Sequence, residues 1–321
     1  MKTPILSIIL PTYNAGSDLR RFFDSFHKQS IGKDEMELLI IDGGSTDQTR
    51  VIARKNGAKI VHNPHKLTEP AVALGFQIAR GELIMVLAVD NLFPDPDALK
   101  KMIGVFRDRI IVAAFPKHDT GPGDNIYSRY INTFTDPYTH FVYQNAANAR
   151  TFHRLYKTIT HNELYDIYDY TSSNERPIIA LAQGFTIRKK FLPKRTEISD
   201  DVLSIYRMID AKKQIAYVHG VVLWHYTIRD TRQFVSKTKR AVENALLRRD
   251  SGITKRNAYL TKTQKIRMYL FLPYAFTIIL PLLQSIIGVI REREFAWLLH
   301  WYVTIFSAGI IVTHALSLRI K

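Results

Sequence analysis

The stretch ELLIIDGGSTD, residues 37–47, passes from an apolar run directly into a loop that holds two glycines and two aspartates. Its apolar run, Glu37 to Ile41, is rich in residues that favour β-strands, and the glycines allow the backbone to come close to a ligand. A similar change occurs where the run Ile5 to Leu10 meets Pro11-Thr12-Tyr13-Asn14. Both stretches predict a buried strand that ends in a polar loop.

Further strands and helices alternate along the N-terminal part of the chain. One predicted helix places Leu19, Phe22, Phe23 and Phe26 on a single face. Repeated βα units predict an α/β fold with a parallel sheet covered on both faces, and with ligands at the carboxyl ends of the strands. The predicted strands are 5–10, 37–41, 59–62, 83–88 and 110–115, and the predicted helices are 15–29, 47–55, 70–79 and 95–107.

The composition is basic, moderately apolar and free of cysteine. The 321 residues include 45 Lys and Arg against 29 Asp and Glu, which gives a formal charge of +16 at pH 7, and 46% are hydrophobic. This excludes a disordered chain, a collagen and a disulfide-stapled fold. Thiol nucleophiles, thiolate zinc sites and iron–sulfur clusters are excluded as well. Twelve of the basic residues, against three acidic ones, lie between Arg229 and Arg267.

Short polar motifs accompany the predicted strands in a particular order. Pro11-Thr12-Tyr13-Asn14 and Asp42-Gly43-Gly44-Ser45-Thr46-Asp47 are followed by Arg80-Gly81-Glu82 and Ala88-Val89-Asp90-Asn91. In this order they resemble the family 2 glycosyltransferases of the GT-A type, over about Ile5 to His225. The resemblance implies a Rossmann-like, mostly parallel sheet flanked by helices. It also implies transfer of a sugar from a nucleotide-diphosphate sugar donor.

The resemblance further implies a nucleotide-sugar-binding site. Asp42 would recognise the nucleobase, with Pro11 and Tyr13 packed beside the base. The alternative for Asp42 is a plain turn in which it caps the following helix, as Asp47 is expected to do. The residues assigned to the nucleotide sugar are Pro11, Tyr13, Asp42, Arg80 and Asp90.

A divalent cation, Mn²⁺ or Mg²⁺, commonly offsets the charge of a leaving diphosphate. The resemblance assigns this metal to Asp90, which stands where the family has the second Asp of its Asp-x-Asp element, and to His225 at the end of an apolar run. Ala88 replaces the first Asp and departs from the family pattern. Asn91 could add an oxygen ligand. A solvated turn for Asp90 and a structural role for His225 are the alternatives.

Asp200 and Asp201 resemble the acids of the family's acceptor site, and the segment Gln183 to Arg188 resembles the one that precedes it. An inverting displacement needs a general base that takes the proton of the acceptor hydroxyl. Asp201 matches that base, and Asp200 would orient the acceptor or support Asp201. Adjacent acids at a helix start are also favoured by the helix dipole, and this alternative stays open.

Two charge-free runs follow the basic tract, Met268 to Ile290 with 23 residues and Phe295 to Leu318 with 24. At about 1.5 Å of rise per residue, each can cross a hydrocarbon core of roughly 30 Å. They predict a transmembrane helical hairpin, with buried core helices as the alternative. The basic tract, together with Arg319 and Lys321, predicts that both ends of the hairpin are cytoplasmic. The tract would contact anionic membrane lipids; nucleic-acid binding would not explain the apolar runs.

The expected organisation is a GT-A glycosyltransferase domain over 1–228, a basic interfacial segment over 229–267 and a transmembrane hairpin over 268–321. The expected enzyme is an inverting glycosyltransferase of polysaccharide biosynthesis at the cytoplasmic membrane face, with a lipid-linked or surface-polysaccharide hydroxyl as acceptor. A polyprenyl-phosphate sugar synthase is one alternative, although its phosphate acceptor needs no strong base and the Asp200-Asp201 pair argues against it. A catalytically inert sugar-nucleotide binding subunit is another, suggested by Ala88 and by Ala73 where the family commonly has Asn.

Overall fold

The computed structural model describes residues 3–134, 136–175, 177, 184–192, 201–247 and 259–319. The chain divides into two compact units, each discontinuous in sequence. The first unit comprises Met1–His118, Tyr156–Ser172 and Ala180–His225. The second unit comprises Asp119–Leu155, Ser173–Ile179 and Tyr226–Lys321.

The first unit is built on a sheet whose N-terminal half is parallel. The central strands are runs of Leu, Ile and Val with almost no exposed surface, as expected of strands that are covered on both faces. Their positions agree with the sequence prediction to within a few residues. The four strands are β1 (Leu6–Thr12), β2 (Met36–Asp42), β3 (Lys59–His62) and β4 (Leu83–Val86), in the order β3-β2-β1-β4.

The other half of the sheet has antiparallel pairings. It contains β5 (Asn91–Leu92), β6 (Ile111–Asp119), β7 (Lys157–His161), β8 (Tyr165–Asp169), β9 (Thr186–Arg188) and β10 (Gln214–His225). Strand β9 joins the two halves because it pairs with β4 on one side and with β6 on the other. Beyond β6 the order is β10, β8 and β7, and β5 pairs with the end of β10. The α/β fold class is confirmed as a mixed sheet with a parallel core.

Eleven α-helices lie within the described residues. The first unit holds α1 to α4 and α7, and the second unit holds the others. Leu19, Phe22 and Phe23 of the first helix are buried, as the predicted face requires. The helices are α1 (Gly16–Phe26), α2 (Thr49–Lys55), α3 (Thr68–Ile78), α4 (Ala98–Gly104), α5 (Ile126–Phe134), α6 (Pro137–Tyr143), α7 (Asp201–Asp210), α8 (Thr231–Leu247), α9 (Lys262–Phe276), α10 (Ile279–Glu292) and α11 (His300–Arg319).

Helix α3 lies directly against β1, and one glycine makes this approach possible. A Cβ atom at Gly75 would stand 2.5 Å from Cγ2 of Ile9, a fully buried side chain of β1. Real side chains do not approach so closely, so a larger residue at position 75 forces the helix or the strand to move.

The first apolar run of the C-terminal part is not one straight helix. Helices α9 and α10 meet at an angle of 99°. Ile278, at the break, has a φ of 60°. Pro281 lacks the N–H that an uninterrupted helix would bond to the Thr277 carbonyl, whereas a proline is well tolerated in the first turn of a new helix. The break therefore has a local cause in the sequence.

The second apolar run begins with side chains that are buried inside the second unit. His300 is fully buried. Its Nδ1 lies 3.0 Å from the Tyr130 hydroxyl and its Nε2 lies 3.2 Å from the Tyr274 hydroxyl. Trp297, in the same run, is 4% exposed. These contacts explain how a histidine is accommodated in an apolar run.

Among the described residues, one helical segment, Phe295–Ser317, is long and apolar enough to cross a membrane. The bent pair Lys262–Phe276 and Ile279–Glu292 passes the same test only when it is counted as one span. Core helices of soluble proteins can meet these criteria too. The predicted hairpin thus has one segment of sufficient length and one that is broken.

Candidate functional site

The loops after β1 and β2 meet at the carboxyl edge of the parallel strands. Thr12 lies opposite Asp42 in the register of the two strands, and the Gly43 N–H donates to the Thr12 carbonyl over 2.8 Å. Pro11 and Tyr13 flank Thr12, so the structure brings both predicted residues beside Asp42. Tyr13 is 52% exposed, which leaves its ring accessible to a ligand.

Asp42 is almost completely buried, yet its carboxylate is held in the charged form. It accepts hydrogen bonds from the Gly44 N–H at 3.2 Å, from the Ser45 N–H at 3.1 Å and from the Ser45 hydroxyl. The Arg50 Nε of α2 donates to its Oδ2 over 2.7 Å. Burial by itself raises the pKa of Asp42, but these hydrogen bonds and the Arg50 charge outweigh burial and lower the pKa. Asp42 is therefore a hydrogen-bond acceptor at neutral pH.

Asn14 and Asp47 hold the loop after β2 in position. Asn14 has a φ of 48°, and its N–H donates to the Ser45 hydroxyl over 2.9 Å. Asp47 accepts hydrogen bonds from the N–H groups of Gly16 and Thr49, each at 3.0 Å. Asp47 thereby connects the starts of α1 and α2, but the N-cap of α2 is Gln48 and not Asp47, the cap that the sequence predicted.

A cavity of about 370 Å³ opens beside Asp42. Pockets for small ligands have volumes of roughly 300–1,000 Å³. The sequence prediction did not include the basic side chains of this cavity, although Arg50 and Arg54 stand one helical turn apart on the helix that follows Asp42. The cavity is lined by Asp42, Arg50, Arg54, Ala58, Ile60 and His62.

Asp90 and His225 are far apart in sequence and are brought together by a short strand pairing. Asn91 of β5 lies opposite His225 at the end of β10. As a result, Asp90 Oδ2 is 3.4 Å from His225 Nε2, and both side chains are mostly buried. Two neighbouring ligands of an octahedral cation, each about 2.1 Å from the ion, lie about 3 Å apart. This separation therefore fits one divalent cation between a carboxylate oxygen and an imidazole nitrogen.

Asn91 and His118 lie next to this pair. The Asn91 amide donates to the Ala88 carbonyl over 3.1 Å and so closes the turn that carries Asp90. His118 of β6 is 5% exposed, with its ring centroid 6.4 Å from that of His225. His118 was missed in the sequence because a single histidine in an apolar strand carries no recognisable signal.

Asp42 and Asp90 stand at the same edge of the sheet, two strand positions apart. Neighbouring strands are about 4.8 Å apart, so the ends of β2 and β4, on either side of β1, are separated by roughly 10 Å. Asp90 follows the end of β4 by four residues. A ligand with a heterocyclic base at one end and a charged group at the other can reach both carboxylates.

Arg80 lies at the opposite edge of the sheet from the other predicted donor-binding residues. It precedes β4, whose first residue, Leu83, is opposite Leu6 at the start of β1. The Arg80 Nε donates to Glu37 Oε2 over 2.9 Å, near the start of β2. The structure therefore does not bring Arg80 to Asp42 and Asp90. Its position assigns it instead to the packing of three strands.

The predicted acceptor site lies partly outside the described residues. Asp201 is the first residue of α7, as the sequence predicted, but its side chain is outside the described part. Asp200 and Gln183 also lie outside it. The roles of Asp200 and Asp201 remain predictions.

A second group of side chains that could hold a metal ion lies elsewhere on the sheet. His161 Nδ1 and His219 Nε2 approach the two carboxylate oxygens of Asp166 at 2.6 and 2.8 Å, and the three possible ligand atoms lie within 4.8 Å of one another. His219 precedes His225 by six residues on β10, which is roughly 20 Å along an extended strand. This group is therefore separate from the Asp90–His225 pair.

Comparison with known proteins identifies related sequences. The family model of Glycosyl transferase family 2 matches residues 7–176, more than half of the chain. The O-antigen chain rhamnosyltransferase WbaN of Salmonella anatum is 28% identical over 242 residues, which cover 72% of this chain and 70% of the relative. The O-antigen chain rhamnosyltransferase RfbN of Salmonella typhimurium is 26% identical over 248 residues, which cover 71% and 69%.

Among solved structures, the mannosyltransferase PcManGT from Pyrobaculum calidifontis is similar in fold. It was determined in complex with GDP-Man and Mn²⁺, and it matches with a TM-score of 0.54 and 16% sequence identity. The match covers 97% of this chain and 88% of that chain.

Proposed function

The chain belongs to Glycosyl transferase family 2 and is a glycosyltransferase, and we propose that it transfers a sugar with inversion from a nucleotide-diphosphate sugar to a hydroxyl of a lipid-linked or surface-polysaccharide acceptor. The observation that carries this proposal is the placement of Asp42 at the end of β2 and of Asp90 in the turn after β4, two strands whose carboxyl ends lie at one edge of the sheet, roughly 10 Å apart. The names of the two Salmonella relatives, both O-antigen chain rhamnosyltransferases, support an acceptor in polysaccharide biosynthesis.

Asp42 would recognise the donor's base. An ionised, buried carboxylate is a strong acceptor for the N–H groups of uracil, thymine or guanine. Tyr13 offers an exposed ring on which the base can stack. Arg50, already bonded to Asp42, fixes the carboxylate and leaves the remaining guanidinium N–H groups for acceptor oxygens of the donor.

Asp90 and His225 would hold a divalent cation at the diphosphate. When bound, the cation offsets the negative charge that develops on the leaving diphosphate. The Mn²⁺ in the PcManGT complex supports Mn²⁺ as the ion, with Mg²⁺ as the alternative, because carboxylate oxygens suit both. Because Ala88 replaces the first Asp, Asp90 is the acid of this turn. Its charge would therefore contribute more to cation binding than it would in an Asp-x-Asp element with two carboxylates.

Asp201 would act as the general base. As the acceptor oxygen forms its bond to the anomeric carbon, the bond from that carbon to the diphosphate oxygen breaks, and the hydroxyl proton passes to the carboxylate. Its place at the first residue of α7 supports this role, because the helix dipole keeps a carboxylate ionised there. Asp200 would orient the acceptor or support Asp201.

The proposed function is tested with detergent-purified protein, a panel of nucleotide sugars and Mn²⁺ or Mg²⁺, by measuring acceptor-dependent nucleotide release. Asp201→Asn should lower kcat by about 10² to 10⁴-fold, while the donor Kd stays nearly unchanged. Asp210→Asn, at the other end of the same helix, is the matched control and should keep wild-type kcat. Full turnover by Asp201→Asn would remove the base assignment. A wild-type protein that turns over no donor would contradict the proposed function itself.

The transfer would take place at the cytoplasmic face of a membrane. The exposed apolar side chains that follow Lys262 support attachment to lipid. The basic tract before them supports the cytoplasmic side, where Lys and Arg are enriched next to membranes.

A further inference from the structure

We propose that the C-terminal helices attach the protein to one leaflet of an anionic membrane without crossing it, with the exposed apolar side of α9, α10 and the start of α11 as the lipid-binding surface. This inference deepens the membrane location of the proposed function and rests on it. It takes the place of the transmembrane hairpin that the sequence predicts.

Glu294 lies between the two apolar runs. Its side chain is almost fully buried, and it accepts hydrogen bonds from Nη2 of Arg129 at 2.9 Å and from Nη2 of Arg150 at 2.8 Å. Separating a buried carboxylate from two guanidinium partners is strongly unfavourable. The turn between the runs therefore stays on the side of the membrane where Arg129 and Arg150 are.

Arg129 and Arg150 belong to the segment Asp119–Leu155, which leaves the sheet after β6 and returns to it at β7. Its helices α5 and α6 have nine and seven residues, whereas a membrane-crossing helix needs about 20. The segment therefore does not cross the membrane. It stays, together with Glu294, on the side of the membrane where β6 ends and β7 begins.

Contacts of Arg267 fix the position where the first apolar run begins. Arg267 pairs with Glu175 at 2.7 Å and donates to the Val142 carbonyl at 3.2 Å. The first apolar run therefore begins on the same side of the membrane as Glu294, which follows its end. Its helices α9 and α10, of 15 and 14 residues, are each about 22 Å long, shorter than a hydrocarbon core of roughly 30 Å, and they are bent by 99°.

Helix α11 forms most of the segment that is long enough to cross a membrane. It packs against α6, α8 and α9. Helix α8 carries Lys237, Lys239 and Arg240, which are too costly to place in hydrocarbon. Thr304 and Ser307 of α11 are buried on its protein side. Because α11 packs against this charged helix, it lies beside the membrane rather than across it.

The remaining side of these helices is apolar and exposed. Ile279, Ile290 and Phe295 are each about two-thirds exposed, and Tyr269 more so. Soluble monomers rarely expose apolar surface on this scale, and exposed aromatic rings at the edge of such a surface are typical of a membrane interface. The apolar side therefore needs a partner.

The positive charges next to this apolar surface favour an anionic lipid membrane as the partner. Exposed Lys262 and Lys265 lie at the start of α9, and exposed Arg291 and Arg293 lie at the end of α10. Anionic headgroups would neutralise these cations. A second copy of this chain, which carries a formal charge of +16, would bring like charges together instead.

The side of the membrane on which each residue lies is tested with single introduced cysteines. Because the chain has no cysteine of its own, a maleimide labels only the introduced one. Arg293→Cys reports the turn, Ser317→Cys reports the end of α11, and Lys28→Cys on the sheet unit is the control. In right-side-out vesicles from the expression host, a membrane-impermeant maleimide should label none of the three. In inside-out vesicles it should label all three. Labelling of Arg293→Cys or Ser317→Cys from the outside would overturn the proposal.

Lipid contact is tested by flotation of the full-length protein with phosphatidylcholine vesicles, with and without phosphatidylglycerol. Wild type should bind the anionic vesicles more tightly. Ile290→Asp should weaken that binding by about tenfold or more, because one buried isoleucine contributes on that order. Ile110→Asp, at an isoleucine of the sheet unit that is 57% exposed, should bind like wild type.

Wild type that binds neither kind of vesicle and stays monodisperse or dimeric without detergent would overturn the proposal. Donor turnover in detergent is a separate readout. If the membrane inference fails, turnover persists, and if the proposed transfer fails, vesicle binding persists.

Discussion

Replacing Asp42 by Asn tests the assigned role of the buried carboxylate with the smallest possible change. The substitution keeps the shape of the side chain and removes its charge and one acceptor oxygen. Asp42 is 1% exposed and already bonded to Ser45 and Arg50. A base that donates to this carboxylate in the wild type would lose a charge-assisted hydrogen bond.

The expected size of the effect follows from that bond. Hydrogen bonds to charged groups contribute about 1.5–3 kcal/mol. Since about 1.4 kcal/mol is a factor of ten, Asp42→Asn should weaken nucleoside diphosphate binding by about 10- to 150-fold. Arg50 also loses the negative charge of its partner. It is 40% exposed and can be hydrated, so the protein should fold with a loss of stability of about 1–3 kcal/mol.

Isothermal titration with UDP, GDP and dTDP in the presence of Mn²⁺ measures the affinity, and thermal unfolding measures the stability. Pyrophosphate is the control ligand, because it has no base and its Kd should not change. Asp47→Asn is the control variant. Asp47 accepts backbone hydrogen bonds in the same loop, so this change should reduce stability and leave nucleotide affinity at the wild-type level.

Two results would refute the assignment. Unchanged affinity of Asp42→Asn for every nucleotide would mean that the carboxylate does not contact the base. An equal loss of affinity for pyrophosphate would mean that the substitution acts through the loop rather than through base recognition.

Three further predictions concern other parts of the first unit. Gly75→Ala should destabilise the protein by about 1–3 kcal/mol in thermal unfolding, because its Cβ would meet Ile9, whereas Gly104→Ala, with open space around its Cβ, should be neutral or stabilising by up to ~1 kcal/mol. Asp90→Ala should weaken both Mn²⁺-dependent nucleotide binding and turnover, and unchanged activity in excess chelator would remove the metal assignment. The pKa of Glu37 is lowered in the folded protein because its hydrogen bonds outweigh burial. Its contribution to folding stability is therefore complete above pH about 4.5 and is lost as the pH falls through the lower pKa of the folded state. The stability difference between wild type and Glu37→Gln should therefore shrink in acid, and a difference that is constant from pH 7 to 3 would contradict this.

The parallel half of the sheet could be predicted because its signals are local. Apolar runs, and the polar loops that end them, identify β1 to β4 with small errors at the ends, and β3 falls at Lys59–His62 as predicted. Parallel strands then place their carboxyl ends at one edge without further information. That geometry brings Pro11, Tyr13 and Asp42 together from sequence alone.

The partners of the candidate site residues could not be predicted. Arg50 pairs with Asp42 only because α2, which packs against α1 and β3, directs this side chain to the loop after β2. His225 meets Asp90 only because β5 pairs with the end of β10. Arg80 resembled a donor-binding residue by its motif, but a motif does not report which end of a strand it occupies in the sheet.

The C-terminal part shows most clearly what the sequence determines and what only the tertiary structure determines. The sequence by itself determined that two long charge-free runs follow a basic tract, because hydropathy depends only on the order of residues. The tertiary structure decided that the first run is bent at Ile278 and that Glu294, in the turn after it, pairs with Arg129 and Arg150. Residues far apart in sequence make these ion pairs. Hydropathy therefore cannot reveal these partners, which lie 165 and 144 residues away from Glu294 in the sequence.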